Sequence, residues 1–226
     1  MVADLDRKIP NLTRAQAIVG MAQIVAAVDD GHTNIYPTRD PKIGFHTLPA
    51  EFTYFDNQLY IRAAPADEQS LLGARVLRIG SLSVQDAYAA VKTMIGHENE
   101  GGARYWAEYL LAIPEVLEAL HITSSVDDVP LTLELNGRVL QVTLHPAFPV
   151  EMMSGDISTL FYRRQGWIDI RDVQPGSDPL WLREIDKPFH FELDGDALYV
   201  QINQVTTVQR RLWNISHSAS TTKLPK

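Results

Sequence analysis

Three constellations in this 226-residue chain bring together side chains capable of chemistry. The first is Ser216-His217-Ser218, a hydroxyl beside an imidazole. A serine nucleophile needs a rigidly held base within hydrogen-bond reach and donors aimed at the developing oxyanion. This stretch lies in the run from Arg210 to Lys226, which is rich in Ser and Thr and has no hydrophobic period. No strand or helix is predicted to position it, so no catalytic residue is assigned. The second is Asp30-Gly31-His32-Thr33. An Asp and a His two apart can form a charge-relay pair or contribute to a metal site. Asp and Thr side chains also bond local backbone groups and fix a helix-to-strand turn. No further ligands lie nearby in sequence, so Asp30, His32 and Thr33 stand as a turn motif whose role is open. The third is Glu118-x-x-His121, half of a di-metal carboxylate motif. That site needs a second copy and further Glu residues on facing helices. A surface helix end is expected instead.

Other chemistries are excluded by what the sequence lacks. The seven histidines show no H-E-x-x-H spacing. There is no G-x-G-x-x-G or G-K-[ST] phosphate loop, and no G-x-S-x-G nucleophile elbow. Without cysteine, disulfides and thiolate metal sites are ruled out. No cofactor and no metal are expected. The net charge of −8 is spread along the chain and gives no basic patch to neutralise phosphates, which argues against nucleic-acid binding. No run of about 18 apolar residues is present to span a membrane. The opening MVADLDRKIPNLT is polar and has no signal-peptide apolar region, while the compartment stays open. The hydrophobic fraction of 45% suffices for a sizeable core.

The elements that must position any site follow from local patterns. Thr13-x-x-Gln16 is a capping box. It opens a helix with Ile18, Met21, Ala22, Val25 and Val28 on one stripe, predicted to stop near Asp29-Asp30-Gly31 with Gly31 left-handed. Residues 37–49 read as a loop with several prolines. Strands are predicted at 51–55 and 58–62, joined by Asp56-Asn57. Next, Leu72 to Gly80 reads as a short strand, Gly80-Ser81 as a break, and Asp86 to Ile95 as a helix striped by Ala87, Ala90, Val91, Met94 and Ile95. A helix over 103–111 carries Tyr105, Trp106, Tyr109 and Leu110 as an expected core face. Pro114 suits the first turn of another helix. Two alternating runs, 131–135 and 139–144, flank Asn136-Gly137, the strongest short hairpin signal. Phe161-Tyr162 can be a strand, and Arg163 to Pro179 reads as irregular. Strands are predicted at 180–185, 189–193 and 197–202, the last two joined through Asp194-Gly195-Asp196.

The Gly-led strand, tight turn and amphipathic helix at 70–95 resemble the strand-turn-helix of PDZ-like domains, with Gly73, Val76, Leu77, Ile79 and Val84 matching. Taken with Leu12-Thr13, Asp30-Gly31-His32-Thr33, Leu59-Tyr60-Ile61 and the run Leu198 to Gln204, the chain resembles the front part of a C-terminal-processing (tail-specific) or tricorn-like serine peptidase. The resemblance implies an α+β chain in four parts. Residues 1–45 form an N-terminal helical segment and 46–148 a PDZ-like domain with a helical insertion. Residues 149–208 hold a linker and the first strands of an incomplete α/β catalytic domain, and 209–226 a disordered tail. It further implies that the sequence stops before the catalytic residues. What remains is weak binding of a polypeptide or peptide C-terminus by strand addition at Leu72, Gly73, Val76 and Ile79. Relatives of this kind are often exported. The alternative reading is a stand-alone α+β interaction or structural module. Finally, Leu198–Ile202 is apolar at most positions and is expected to leave an unpaired strand edge, a setting for self-association.

Overall fold

A computed structural model describes residues 1–35, 44–146, 148–149, 164–173, 176 and 178–204. The chain is a mixed α+β protein whose contacts divide it into two units, Met1–Pro175 and Gly176–Lys226. In the first unit, helices α1 (Val2–Lys8) and α2 (Arg14–Ala26) precede strands β1 (His46–Thr47), β2 (Glu51–Phe55) and β3 (Gln58–Pro65). Strands β4 (Arg75–Ile79) and β5 (Leu82–Ser83) follow, then helices α3 (Val84–Lys92), α4 (Glu100–Leu110) and α5 (Pro114–Ala119). Strands β6 (Val129–Leu135), β7 (Arg138–Leu144), β8 (Phe148–Pro149) and β9 (Trp167–Asp169) and the short helix α6 (Ile170–Val173) complete it. The second unit holds a hairpin, β10 (Phe189–Asp194) and β11 (Ala197–Ile202).

Helix starts follow the side chains that cap them. Gln16 N donates to the Thr13 hydroxyl at 3.2 Å and Thr13 N donates to the Gln16 side chain at 3.1 Å, so the capping box opens α2. Ser83 caps α3 by accepting from Asp86 N, and Asn99 caps α4 by accepting from Gly102 N. Each oxygen satisfies an amide that has no helical acceptor. The end of α2 differs from the expectation. The helix stops at Ala26, and the left-handed residue is Asp29, at φ 59, not Gly31. Gly31 lies under the Glu98 carboxylate, and a Cβ there, 2.3 Å away, would push that exposed side chain aside. The buried face of α2 is Val19, Ala22 and Ala26, because this face packs on α5; Met21 and Val28 are exposed.

The first unit is built on a seven-stranded antiparallel sheet in the order β2-β3-β4-β6-β7, with β5 also paired to β4 and β9 to β3. Asp56-Asn57 and Asn136-Gly137 both have positive φ at their two central positions, the backbone twist that closes tight hairpins. Leu59, Ile61, Val76, Ile79, Leu131 and Leu133 put one sheet face into the core, and Val91, Leu111, Ile113 and Leu117 meet it from the helical layer. In α4 the core positions are the small residues Ala103 and Ala107 with Leu110. Small side chains let the helix approach β2 and α3 closely. Tyr105, Trp106 and Tyr109, expected in the core, are half-buried instead and stack edge-on, at 5.4 Å between Tyr105 and Trp106.

The region read as irregular, 163–179, supplies β9 and α6. They are held by a buried ionic cluster that the local sequence does not announce. The Arg62 guanidinium pairs with both Glu51 and Asp169, and Arg171 grips Asp169 from the other side at 2.8 Å. Burial raises the Glu51 carboxyl. Burial pushes Asp169 the same way, but the Arg171 donors, helped by Arg62, outweigh it and hold Asp169 low.

In the second unit the expected strand at 180–185 is a single 3-10 turn, Leu180–Leu182, after which Glu184 takes φ 54. A left-handed residue at that point ends any extended run. The hairpin β10–β11 forms in the expected place, with register Asp194↔Ala197 through Phe189↔Ile202. Phe161-Tyr162, Ser216-His217-Ser218, the tail and most of the 37–49 loop lie outside the described residues.

Candidate functional site

A peptide that binds by strand addition needs a free sheet edge, so the edges define the candidate site. Strand β4 is not one of them. It lies between β3 and β6, with Gly73 N donating to Ile61 O at 2.8 Å and the register Val76↔Leu133 and Ile79↔Leu131. Leu72, Val76 and Ile79 are buried, and Gly73 serves a turn at φ 77. Val76 and Ile79 therefore lie in an interior strand with Leu72 and Gly73 in the turn that leads into it, and the edges of the path are β2 and β7.

The β2 edge is closed by the helical insertion. In the β2–β3 hairpin, Phe55 and Gln58 flank a two-residue turn and face each other as the hydrogen-bonded pair, so Tyr54 turns its N–H outward. Glu108 of α4 accepts from that N–H at 2.6 Å and also accepts from the Thr53 hydroxyl at 3.3 Å. Burial pushes the Glu108 carboxyl up to about 7, against the lowering effect of these two donors. Around this contact Tyr54 meets Tyr88 edge-on at 5.8 Å, and Arg104 lies 5.8 Å above the Tyr54 ring. Tyr88 donates to Glu100 at 2.7 Å. Burial raises both phenols. A cleft of about 330 Å³ remains beside them, lined by Tyr54, Asp56, Asn57, Arg104, Tyr105 and Glu108.

The β7 edge is open among the described residues. Leu135 and Arg138 flank the Asn136-Gly137 turn as the hydrogen-bonded pair, and the register runs unbroken to Val129↔Leu144. Alternate residues Val139, Gln141 and Thr143 therefore turn N–H and C=O away from β6. All three are exposed, and the strand carries no proline and no bulge to blunt the edge.

The turn motif Asp30, His32 and Thr33 is joined by a residue that sequence reading missed. Asp30 accepts from the Thr33 hydroxyl and from His32 N, and Glu98 accepts from Gly31 N at 2.9 Å. The Asp30 carboxyl is held low, first by the Thr33 hydroxyl. The His32 ring is 3.8 Å from Glu98 and 4.0 Å from Asp30, and its side chain is 96% exposed. Asn34 locks the loop pair together, donating to Gly31 O and accepting from Gly96 N at 2.7 Å. Asp30, His32 and Glu98 offer ligand atoms within 4.8 Å of one another and could hold a cation, although both carboxylates already serve backbone amides. Glu98 lies in the loop after α3, and no spacing in the sequence links it to Asp30. Glu118 and His121 sit at the end of α5, where His121 N donates to Glu118 O and takes φ 58.

No helix among the described residues is long and apolar enough to cross a membrane. No family model matches the chain, and no curated protein matches it.

Proposed function

We propose that the chain is a polypeptide-receiving part of a tail-specific-like serine peptidase, in which an extended peptide adds to β7 of a PDZ-like sheet. The observation that carries this reading is the open, regular β7 edge, with the backbone groups of Val139, Gln141 and Thr143 directed outward. Main-chain hydrogen bonds supply affinity in this mode, and the alternating side chains supply selectivity. The strand-turn-helix of β4 and α3, with Gly73 and Gly80 both at positive φ, supports the PDZ-like assignment. Catalysis is assigned to no residue of this chain. On this reading Leu72, Gly73, Val76 and Ile79 do not touch the peptide, since β4 and the turn before it lie inside β6, the neighbour of the receiving strand.

The test is a titration of labelled extended peptides, with free and with amidated C-termini, against the wild type and Gln141→Pro. An edge strand tolerates proline where the N–H faces outward. The variant should keep the wild-type thermal midpoint and lose binding by about tenfold or more, consistent with one strand-edge hydrogen bond and its neighbours. Equal peptide affinity in both proteins, or no affinity in the wild type, would remove the proposal.

A further inference from the structure

The hairpin β10–β11 is two-faced, and its faces are inverted relative to the usual arrangement. The register pairs Phe189 with Ile202, Phe191 with Val200 and Leu193 with Leu198. Period-two alternation puts these six side chains on one face. All are exposed, from 42% at Phe189 to 70% at Leu193. The opposite face carries His190, Glu192, Tyr199 and Gln201, and this polar face is the covered one. Arg183 bonds Glu192 at 2.7 Å, Gln201 donates to Trp181 O, and His190 is buried against Tyr199. The unit's own segment 180–187 thus packs on the polar side and leaves three apolar cross-strand rows uncovered by the described residues of that unit.

We propose that this face is a dimerisation surface whose occupant is the same face of a second copy of the chain. Area argues for it. An aromatic side chain carries roughly 150–250 Å² and an aliphatic one less. At the observed exposures the six residues together present on the order of 600 Å², so a face-to-face pair buries at most about 1,200 Å², the low end of specific interfaces. The face contains no charge that would select a different partner, and a two-fold interface requires a patch to complement itself. A two-fold axis running across the strands through the Phe191–Val200 row stacks the two hairpins as aligned sheets about 10 Å apart. It also sets the acidic Asp194-Gly195-Asp196 turns at opposite ends, so their charges do not meet.

The experiment is sedimentation equilibrium on the full chain from micromolar to near-millimolar concentration, beside Phe191→Thr/Val200→Thr. Threonine keeps strand propensity while removing apolar area, and amide contacts between Glu192 and Tyr199 in NMR spectra report whether the variant hairpin persists. The wild type should double in mass with concentration, and the folded variant should stay at monomer mass throughout. A wild type that remains monomeric, a folded variant that still dimerises, or an open series of larger species would overturn the proposal. Should the substitutions melt the hairpin, the wild type decides alone. Its apolar-face methyl resonances shift with concentration if the face pairs, and stay fixed if it does not.

Discussion

At the scale of single residues, Glu108 is the most informative position. It accepts the outward Tyr54 N–H, a donor that an added strand at the β2 edge would otherwise need to meet. Because burial raises its pKa from 4.5 to about 7, the folded protein holds a proton there that the unfolded chain has already released. Stability from this group is therefore full below 4.5 and is lost as pH rises through about 7. Carrying pH from below the unfolded value to above the folded one removes on the order of 3 kcal/mol. Glu108→Gln cannot ionise and should be free of that loss. Urea midpoints measured near about pH 5 and about pH 8 should show the variant gaining on the wild type as pH rises. Parallel pH profiles for the two proteins would show that Glu108 ionises freely and that burial does not hold its proton.

At the scale of elements, Gly80 decides how β4 turns into β5. Its φ of 56 alone disfavours a side chain. Space disfavours it further, since a Cβ would lie 2.0 Å from Ile122 O, a backbone atom held in place by the Ser81 N–H. Gly137 provides the control, with φ 74 but open space around it. Gly80→Ala should cost roughly 3 kcal/mol or more, and Gly137→Ala about 1–2 kcal/mol, the conformational term alone. Equal denaturation midpoints for the two variants would mean that the loop after α5 yields easily. The same contrast explains what the sequence announced. The cap at Thr13 and the turns at Asp56-Asn57 and Asn136-Gly137 are local, so residue identity specifies them, while the equally local caps at Ser83 and Asn99 start their helices two to three residues before the positions at which the apolar stripes place them in sequence. Strand order is not local. Nothing within Leu72 to Ile79 says whether a neighbour lies on one side or both, and the strand read as an edge is interior. The contacts of Glu108 with Tyr54, Glu98 with Gly31 and Arg62 with Asp169 join residues far apart in sequence, so no spacing rule could find them.

At the scale of the whole molecule, the two units differ sharply in how much core they own. The first holds the large cluster around Ile61, Val76, Leu117 and Leu133. In the second, Leu182 and His190 are the buried residues among those described. An isolated two-stranded hairpin is marginal in water. Segment 180–187 supports the β10–β11 ribbon from its polar face, and the proposed second copy would support it from the apolar one. Alternation along 189–193 and 197–202 made the ribbon legible in sequence, but not which face its own unit would cover. If a second copy covers the apolar face, hydrogen exchange will separate the units. Amides of β4, β6 and α3 should exchange through global unfolding at a rate independent of protein concentration. The cross-strand amides of Glu192 and Tyr199 should exchange rapidly in dilute solution and slow several-fold as concentration rises, because association stabilises only the paired state. Protection of Glu192 and Tyr199 that is high and unchanged by dilution would mean that the hairpin is stabilised from within one chain, and the reasoning from its bare face would fail.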